Sequence, residues 1–259
     1  MSALIHPTAI IDPGAKLGTN VTIGAYSIIG PEVEIGESTA IGSHNVIEGP
    51  TRIGRENRIG AFNAIGGPPQ DKSYAGEPTR LEIGDRNMIR EYCTLNRGTT
   101  KDAGITRIGN DNWIMSYVHI AHDCLIAANT VLANNTQFAG HCHVGDWAIL
   151  GGFTGVHQFV RIGAHVMVGG GTMLRQDVPP YVMVAGNPPK ALGVNTEGLR
   201  RRGFTPEAIE NVQLAYRTLY RDGLSLAAAR ESLEQQSAAA SEIRLFVKFL
   251  ADATRGIVR

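Results

Sequence analysis

The stretch TIGAYSIIGPEVEIGESTAIG, residues 22–42, returns an aliphatic residue at every sixth position: Ile23, Ile29, Ile35 and Ile41. Glycine follows each of them. The same register runs back through Leu17 and Ile11 to Ile5, and forward through Ile47, Ile53, Ile59 and Ile65. It resumes at Ile83, Ile89 and Leu95, slips by one residue, and continues from Ile108 to Leu174. A second column, four residues after each aliphatic one, holds small or β-branched residues such as Ala15, Val21, Ser27, Thr39, Thr130 and Thr154. Neither the helical period nor strand alternation produces a strict six. Short strands joined by corners do, when each hexad forms one side of a triangular coil. Three hexads then close a coil, and coils stack at about 4.8 Å, the spacing of paired strands. The sequence therefore predicts a parallel β-helix around a continuous aliphatic column.

Composition agrees with such a core. Of 259 residues, 43% are hydrophobic but only 6% aromatic, and 31 are glycine. Lys plus Arg equals Asp plus Glu at 24 each, so no global charge calls for nucleic acid or an anionic membrane. No apolar run approaches the roughly 20 residues that span a bilayer, and MSALIHPTAIID lacks the basic start and apolar stretch of a signal peptide. A cytoplasmic protein without stable membrane insertion is expected. Cys93, Cys124 and Cys142 all fall in the small inward column and are read as core residues, not nucleophiles.

Two excursions interrupt the coils, near 66–82 and 97–107, and loops thrown from a solenoid commonly build its binding face. After Leu174 the hexads fade. Thr205-Pro206 has the form of an N-cap and first helical residue, with Ile209, Val212, Tyr216 and Leu219 on one face. A further helix is expected over about 225–236, and another from Ser241. The division is then a β-helix over 1–190 and an α-helical domain over 191–259, the latter able to cover the last coil's open edge.

Residues 18 apart stack on successive coils. His122 thus shares a column with Gly140 and Gln158, His141 lies over Asp123, and His157 over Ala139. His143 lies near this group; His6, His44 and His165 are given no function. None of the histidines occupies an inward slot, so none is expected to be buried. Asp123 reaches the ring of His122 only if it occupies a corner, because neighbours on a strand point to opposite sides. A histidine near its unperturbed pKa can take a proton from a hydroxyl at neutral pH. A glycine one coil away lets an acyl group approach the backbone, whose N–H can stabilise an oxyanion.

The Ile/Val/Leu-Gly hexad resembles that of the hexapeptide-repeat acyltransferases, which implies left-handed coils. More closely, YAGEPTRLEIGDRN (74–87), IREYCTLNRGT (89–99), HIAHDC (119–124), GVHQF (155–159), IGAHVMVGG (162–170), GVNTEGLRRRGF (193–204) and the terminal TRGIVR resemble the UDP-N-acetylglucosamine acyltransferases over essentially the whole chain. The resemblance implies transfer of an (R)-3-hydroxyacyl chain from acyl carrier protein to the glucosamine 3-hydroxyl of UDP-N-acetylglucosamine, the first step of lipid A synthesis. It implies His122 as general base, Asp123 as its orienting partner and the Gly140 amide as oxyanion contact. His119, His141, His157 and Gln158 would line a cleft between subunits of a homotrimer. Gln70 and Asp71 would hold the sugar or acyl group, and Asn195, Glu197, Arg201 and Arg202 the nucleotide end. Gly170 would set acyl length at around fourteen carbons. It lies 48 residues after His122, or about 13 Å along the axis at the strand-pair spacing. The acyl group arrives on the phosphopantetheine of the carrier protein, and no other cofactor is expected.

The chain departs from that family twice. Ser73 stands where the loop usually carries lysine two residues after its aspartate, with Lys72 preceding it, and Asn96 replaces a usual histidine. Two other enzymes are weighed. A UDP-glucosamine N-acyltransferase carries a uridine-binding domain ahead of its coils, whereas here the repeat begins by Ile5. Zinc carbonic anhydrases of this fold use three histidines, whose spacing the 119/122 and 141/143 pairs do not match, and no metal is expected. A non-enzymatic scaffold would need neither His122 over Gly140 nor the 195–202 segment.

Overall fold

The computed structural model describes residues 4–253 and 255–259; Met1–Ala3 of the N-terminal stretch and Thr254 of TRGIVR lie outside the described residues. The hexads fold as left-handed coils of a triangular prism, with two- to four-residue strands forming three parallel faces. The first face stacks Ile23 on Ile41, the second Ile120 on Phe138, the third Ile126 on Val144. The slip in register after Leu95 coincides with the second excursion, and both Leu95 and Ile120 stay in the second face.

From Val21 and Ile23 onward the aliphatic columns are buried, and so is the column four residues on, including all three cysteines, while Ile5 in the first coil is 38% exposed. That second column also holds asparagines, which the small-residue reading overlooked. Asn45 Oδ1 accepts from both Asn63 N and Asn63 Nδ2 at 3.0 Å, and Asn57 Oδ1 accepts from Asn87 N at 2.9 Å. One amide thus satisfies the corner N–H of the next coil, which burial would otherwise orphan. The glycine after the aliphatic residue has a steric cause. A Cβ on Gly36 would lie 2.5 Å from the carbonyl carbon of Gly54 one coil on.

At the corners, the third residue after the aliphatic one adopts left-handed backbone, with φ of 59° at Asp123 and 61° at His141. This costs about 1–2 kcal/mol for a residue with a side chain. The N–H it turns toward the preceding coil recovers a hydrogen bond, as in His141 N to His122 O at 3.0 Å.

The strand Val182–Ala185 extends the first face, and Lys190–Val194 pairs antiparallel with it and closes the edge. Among the described residues four helices follow: α1 (Thr196–Arg201), α2 (Pro206–Tyr220), α3 (Leu226–Gln236) and α4 (Arg244–Asp252), the last preceded by a 3₁₀ turn at Ser241–Ile243. Thr205 caps α2 by accepting from Ala208 N, as its sequence predicts. The helices seal the end of the prism: Tyr181 donates to Glu242 O, and Val258 N to Asp177 O. No helix among the described residues is long and apolar enough to cross a membrane.

The outer surfaces differ by face. The third alternates charge, with Lys16 on Glu34 and Arg107 on Glu82. The first and second expose Trp113, Met167, Ile10 and Ile28. The corner between them carries a ladder of stacked rings, Tyr26, His44, Phe62, Tyr92 and Tyr117, spaced 4.8–5.2 Å apart.

A histidine pair at the second corner as candidate active site

A pocket of about 580 Å³ runs along the second face to the corner joining it to the third, and Gln70, His119, His122, Gly140, His157 and Gln158 line it. The 18-residue period brings five of these together; Gln70 comes from the first excursion, which Asn96 tethers by donating to Pro68 O at 2.8 Å. His122 stands two residues after Ile120 and turns its ring toward the Cα of Gly140. Asp123, at its left-handed corner, meets that ring, with His122 Nδ1 and Asp123 Oδ2 2.9 Å apart. Asp123 is 2% exposed. Its other side-chain hydrogen bonds come from the second excursion: Thr99 N donates to Oδ1 at 2.8 Å and Thr99 Oγ1 to Oδ2 at 2.6 Å.

A carboxylate accepts only, so the proton of neutral His122 sits on Nδ1 and the lone pair of Nε2 is left free. Among the described residues the Gly140 N–H has no acceptor. A base and an unoccupied backbone donor therefore stand on neighbouring coils. His119 hydrogen-bonds Thr94 Oγ1 at 2.6 Å. Burial, with His122 nearby, lowers its pKa, so it is neutral at neutral pH.

His141 departs from expectation. It is 9% exposed, as is His165, although neither occupies an inward slot. Corner rings that only stack on one another, such as Phe62, stay 47% exposed. His141 and His165 are covered as well by groups from outside the coils, Asp102 over the one and Phe204 and Arg202 over the other. His141 stacks on Phe159 at 4.5 Å and meets the His122 ring edge-on at 5.1 Å, and His165 stacks on Tyr181. His141 therefore underlies the pocket while its Nδ1 pairs with Asp102 Oδ2 at 3.3 Å. His143 sits on a third-face strand and lines a separate cavity.

His122, Asp123 and His141 bring candidate metal-ligand atoms within 4.8 Å of one another. The 2.9 Å separation of His122 Nδ1 from Asp123 Oδ2 is hydrogen-bond length, shorter than the roughly 3.3 Å between ligands of a tetrahedral zinc. Asp123 is also committed through both oxygens to Thr99. The 2.9 Å spacing suits a hydrogen-bonded proton better than a metal ion.

The other expected residues lie elsewhere in the chain. Asp71 is tied to Lys101 Nζ at 2.7 Å, and its Oδ1 accepts from Ser73 N and Oγ. The hydrogen bond from Lys101, then those from Ser73, hold its carboxyl well below the usual carboxylate range. The ammonium beside this aspartate thus comes from the second excursion, not from Ser73 or Lys72. Asn195 caps α1 and donates to His165 O at 3.0 Å. Glu197 pairs with Arg201, and Arg202 donates to Trp147 O and lies over the Trp147 ring. This group occupies the corner joining the third face to the first, while Gly170 lies at the corner joining the first to the second. One chain therefore holds the expected site in separate pieces. Thr99, Lys101 and Asp102 escaped sequence reasoning because they lie outside the hexad register.

Comparison with known proteins bears on this arrangement. Residues 2–36 and 105–140 match the bacterial transferase hexapeptide family, and 177–258 match the family described as Udp N-acetylglucosamine O-acyltransferase, domain 2. The acyl-acyl-carrier-protein–UDP-N-acetylglucosamine O-acyltransferase of Thiobacillus denitrificans is 59% identical over 99% of this chain and 100% of its own length. The structure of LpxA from Acinetobacter baumannii superposes with a TM-score of 0.97 at 45% identity, covering 99% of this chain and 100% of that one. That of UDP-N-acetylglucosamine O-acyltransferase from Moraxella catarrhalis gives 0.97 at 48%, covering 98% and 99%. On these matches, as on the hexad prism and its helical cap, the chain belongs to the acyl-acyl-carrier-protein–UDP-N-acetylglucosamine O-acyltransferase family.

Proposed function

We propose that the chain transfers an (R)-3-hydroxyacyl group from the phosphopantetheine thioester of acyl carrier protein to the glucosamine 3-hydroxyl of UDP-N-acetylglucosamine, opening lipid A biosynthesis in the cytoplasm. The observation that carries this reading is His122, held by Asp123 with Nε2 free, beside the unpaired Gly140 N–H. Nε2 takes the sugar hydroxyl proton as the oxygen attacks the thioester carbon. The Gly140 N–H stabilises the oxyanion. Collapse expels the thiolate, which takes the proton back from the imidazolium, so no external cofactor enters the balance. Gln70, Asp71, His119, His141, His157 and Gln158 would shape the acceptor end. The test is acyl transfer with a set of 3-hydroxyacyl carrier proteins. His122→Ala is expected to lose about 10²–10⁴-fold; retention within a few-fold would sink the base assignment.

The working unit in this reading is a homotrimer. Its support is the surface: the first and second faces and the aromatic ladder between them are apolar, whereas the third is charged. If the first face of one chain packs on the second face of the next, the ladders converge on the threefold axis. The corner bearing His122 then meets the neighbour's corner bearing Asn195, Glu197, Arg201 and Arg202, reuniting base and nucleotide arm. Gly170 lies on the axial side of that cleft, where a long acyl chain would end. Gly170→Met is expected to shift preference to shorter acyl groups in a competition assay; unchanged preference would remove Gly170 from the role.

A further inference from the structure

We propose that Thr99, at the turn of the second excursion, is the positioning residue of the His122–Asp123 pair. Its amide and hydroxyl together orient the carboxylate that keeps the His122 proton on Nδ1. The inference rests on the reading of His122 as base and extends it to a residue outside the coils.

The geometry is specific. Asp123 has two side-chain oxygens, and Thr99 reaches both, through N to Oδ1 at 2.8 Å and through Oγ1 to Oδ2 at 2.6 Å. Gripped at both oxygens, the carboxylate cannot rotate about its own axis, and Oδ2 stays aimed at His122 Nδ1. His141 Nε2, at 3.7 Å from the same oxygen, is too distant to substitute. Thr99 and Asp123 are 3% and 2% exposed, so water does not stand in for a missing donor. A buried carboxylate stripped of one partner seeks another, and turning toward one breaks the bond to Nδ1. The imidazole is then free to move its proton to Nε2, where it can no longer act as a base.

A purely structural role for Thr99 would be to tie down the excursion. Two other contacts already do so: Lys101 with Asp71 and Asp102 with His141. Loss of the Thr99 hydroxyl therefore leaves the loop anchored and acts on Asp123 alone.

Thr99→Val keeps the amide bond and removes the hydroxyl. Acyl transfer is measured for Thr99→Val, Thr99→Ser, Asp123→Ala and the Thr99→Val/Asp123→Ala pair, with His122→Ala as reference. Thr99→Val is expected to lower kcat about tenfold or more, with KM for either substrate within about twofold, and Thr99→Ser to restore kcat to within about threefold of the parent. In the Asp123→Ala background, Thr99→Val should change kcat less than about twofold, because its route of action is gone. Long-range proton–nitrogen NMR of histidine-labelled enzyme should read the Nδ1–H tautomer of His122 in the parent and Thr99→Ser, and a mixture in Thr99→Val. Should Thr99→Val lose its fold, Thr99→Ala enters the same cycle. Parent-like kcat in Thr99→Val, or losses additive with Asp123→Ala, overturn the inference while His122→Ala stays inactive. Activity surviving His122→Ala overturns the base assignment itself, whatever Thr99 does.

Discussion

The Cα of Gly140 faces the imidazole of His122 so closely that a methyl group built there would stand 2.4 Å from Cε1 and 2.7 Å from Nε2. The proposed base is therefore seated against the coil that offers the free amide, and the glycine is a steric requirement of that seating. Gly140→Ala should push the ring away from Asp123 while leaving the coil intact, since the colliding group is a side chain able to swing. The expected outcome is a fall in kcat of about 10²-fold with little change in melting temperature. Parent-like turnover would show that the ring need not sit there.

In the proposed trimer the two groups of residues on different corners complete one site, so activity is expected to depend on assembly. Trp113 stands outward on the first face, 46% exposed in the single chain. Trp113→Glu places a charge where the proposed trimer buries apolar surface. Light scattering after gel filtration should find monomer in place of trimer, and activity should fall with the mass at an unchanged circular dichroism spectrum. A monomer of full activity would refute the shared cleft.

Folded stability should carry a signature of His165. Burial first, then the neighbouring Arg202 guanidinium, pulls its pKa down to about 4, against roughly 6.5 in an unfolded chain. Between those values the unfolded state binds the extra proton. The His165 contribution to stability is therefore complete above about pH 6.5 and is expected to drain as pH falls toward 4, by on the order of 3 kcal/mol. His165→Phe preserves the stack on Tyr181 and removes the titration. Its melting temperature should decline less than the parent's across that window; parallel curves would exclude His165 as the cause.

The hexad spacing carried the prism, its three faces and the neighbourhood of His122, Gly140 and Gln158, because a period fixes which residues share a column. Thr205 and Pro206 announced α2 in the same local way. What the period did not carry was anything set by the corners' left-handed backbone or by the excursions. His141 and His165 are buried by groups from the second excursion and from the helical end, Asp102 and Phe204 with Arg202, not by an inward slot. Thr99 and Asp102 reach the site from a loop whose path no repeat dictates. Asn195, outside the coils, proves to hold a helix start against the third-to-first corner, contacts visible only once the coils are stacked.

Lys101 supplies the last case. Members of the family this sequence resembles usually carry lysine where Ser73 stands; here Ser73 instead donates to Asp71, and Lys101 approaches the same carboxylate from the other excursion. Gln70, next to Asp71, lines the pocket, and the Lys101 side chain is 54% exposed; we propose that its ammonium meets the oxygen-rich acceptor. Lys101→Met should raise KM for UDP-N-acetylglucosamine about tenfold, the effect of one charge-assisted hydrogen bond near 1.5 kcal/mol, with kcat changed less than threefold or so. Lys72→Met should leave KM unchanged. Adding Ser73→Lys to Lys101→Met returns the cation from the first excursion and should recover most of the lost affinity. If Lys72→Met raises KM while Lys101→Met does not, the cation has been assigned to the wrong loop.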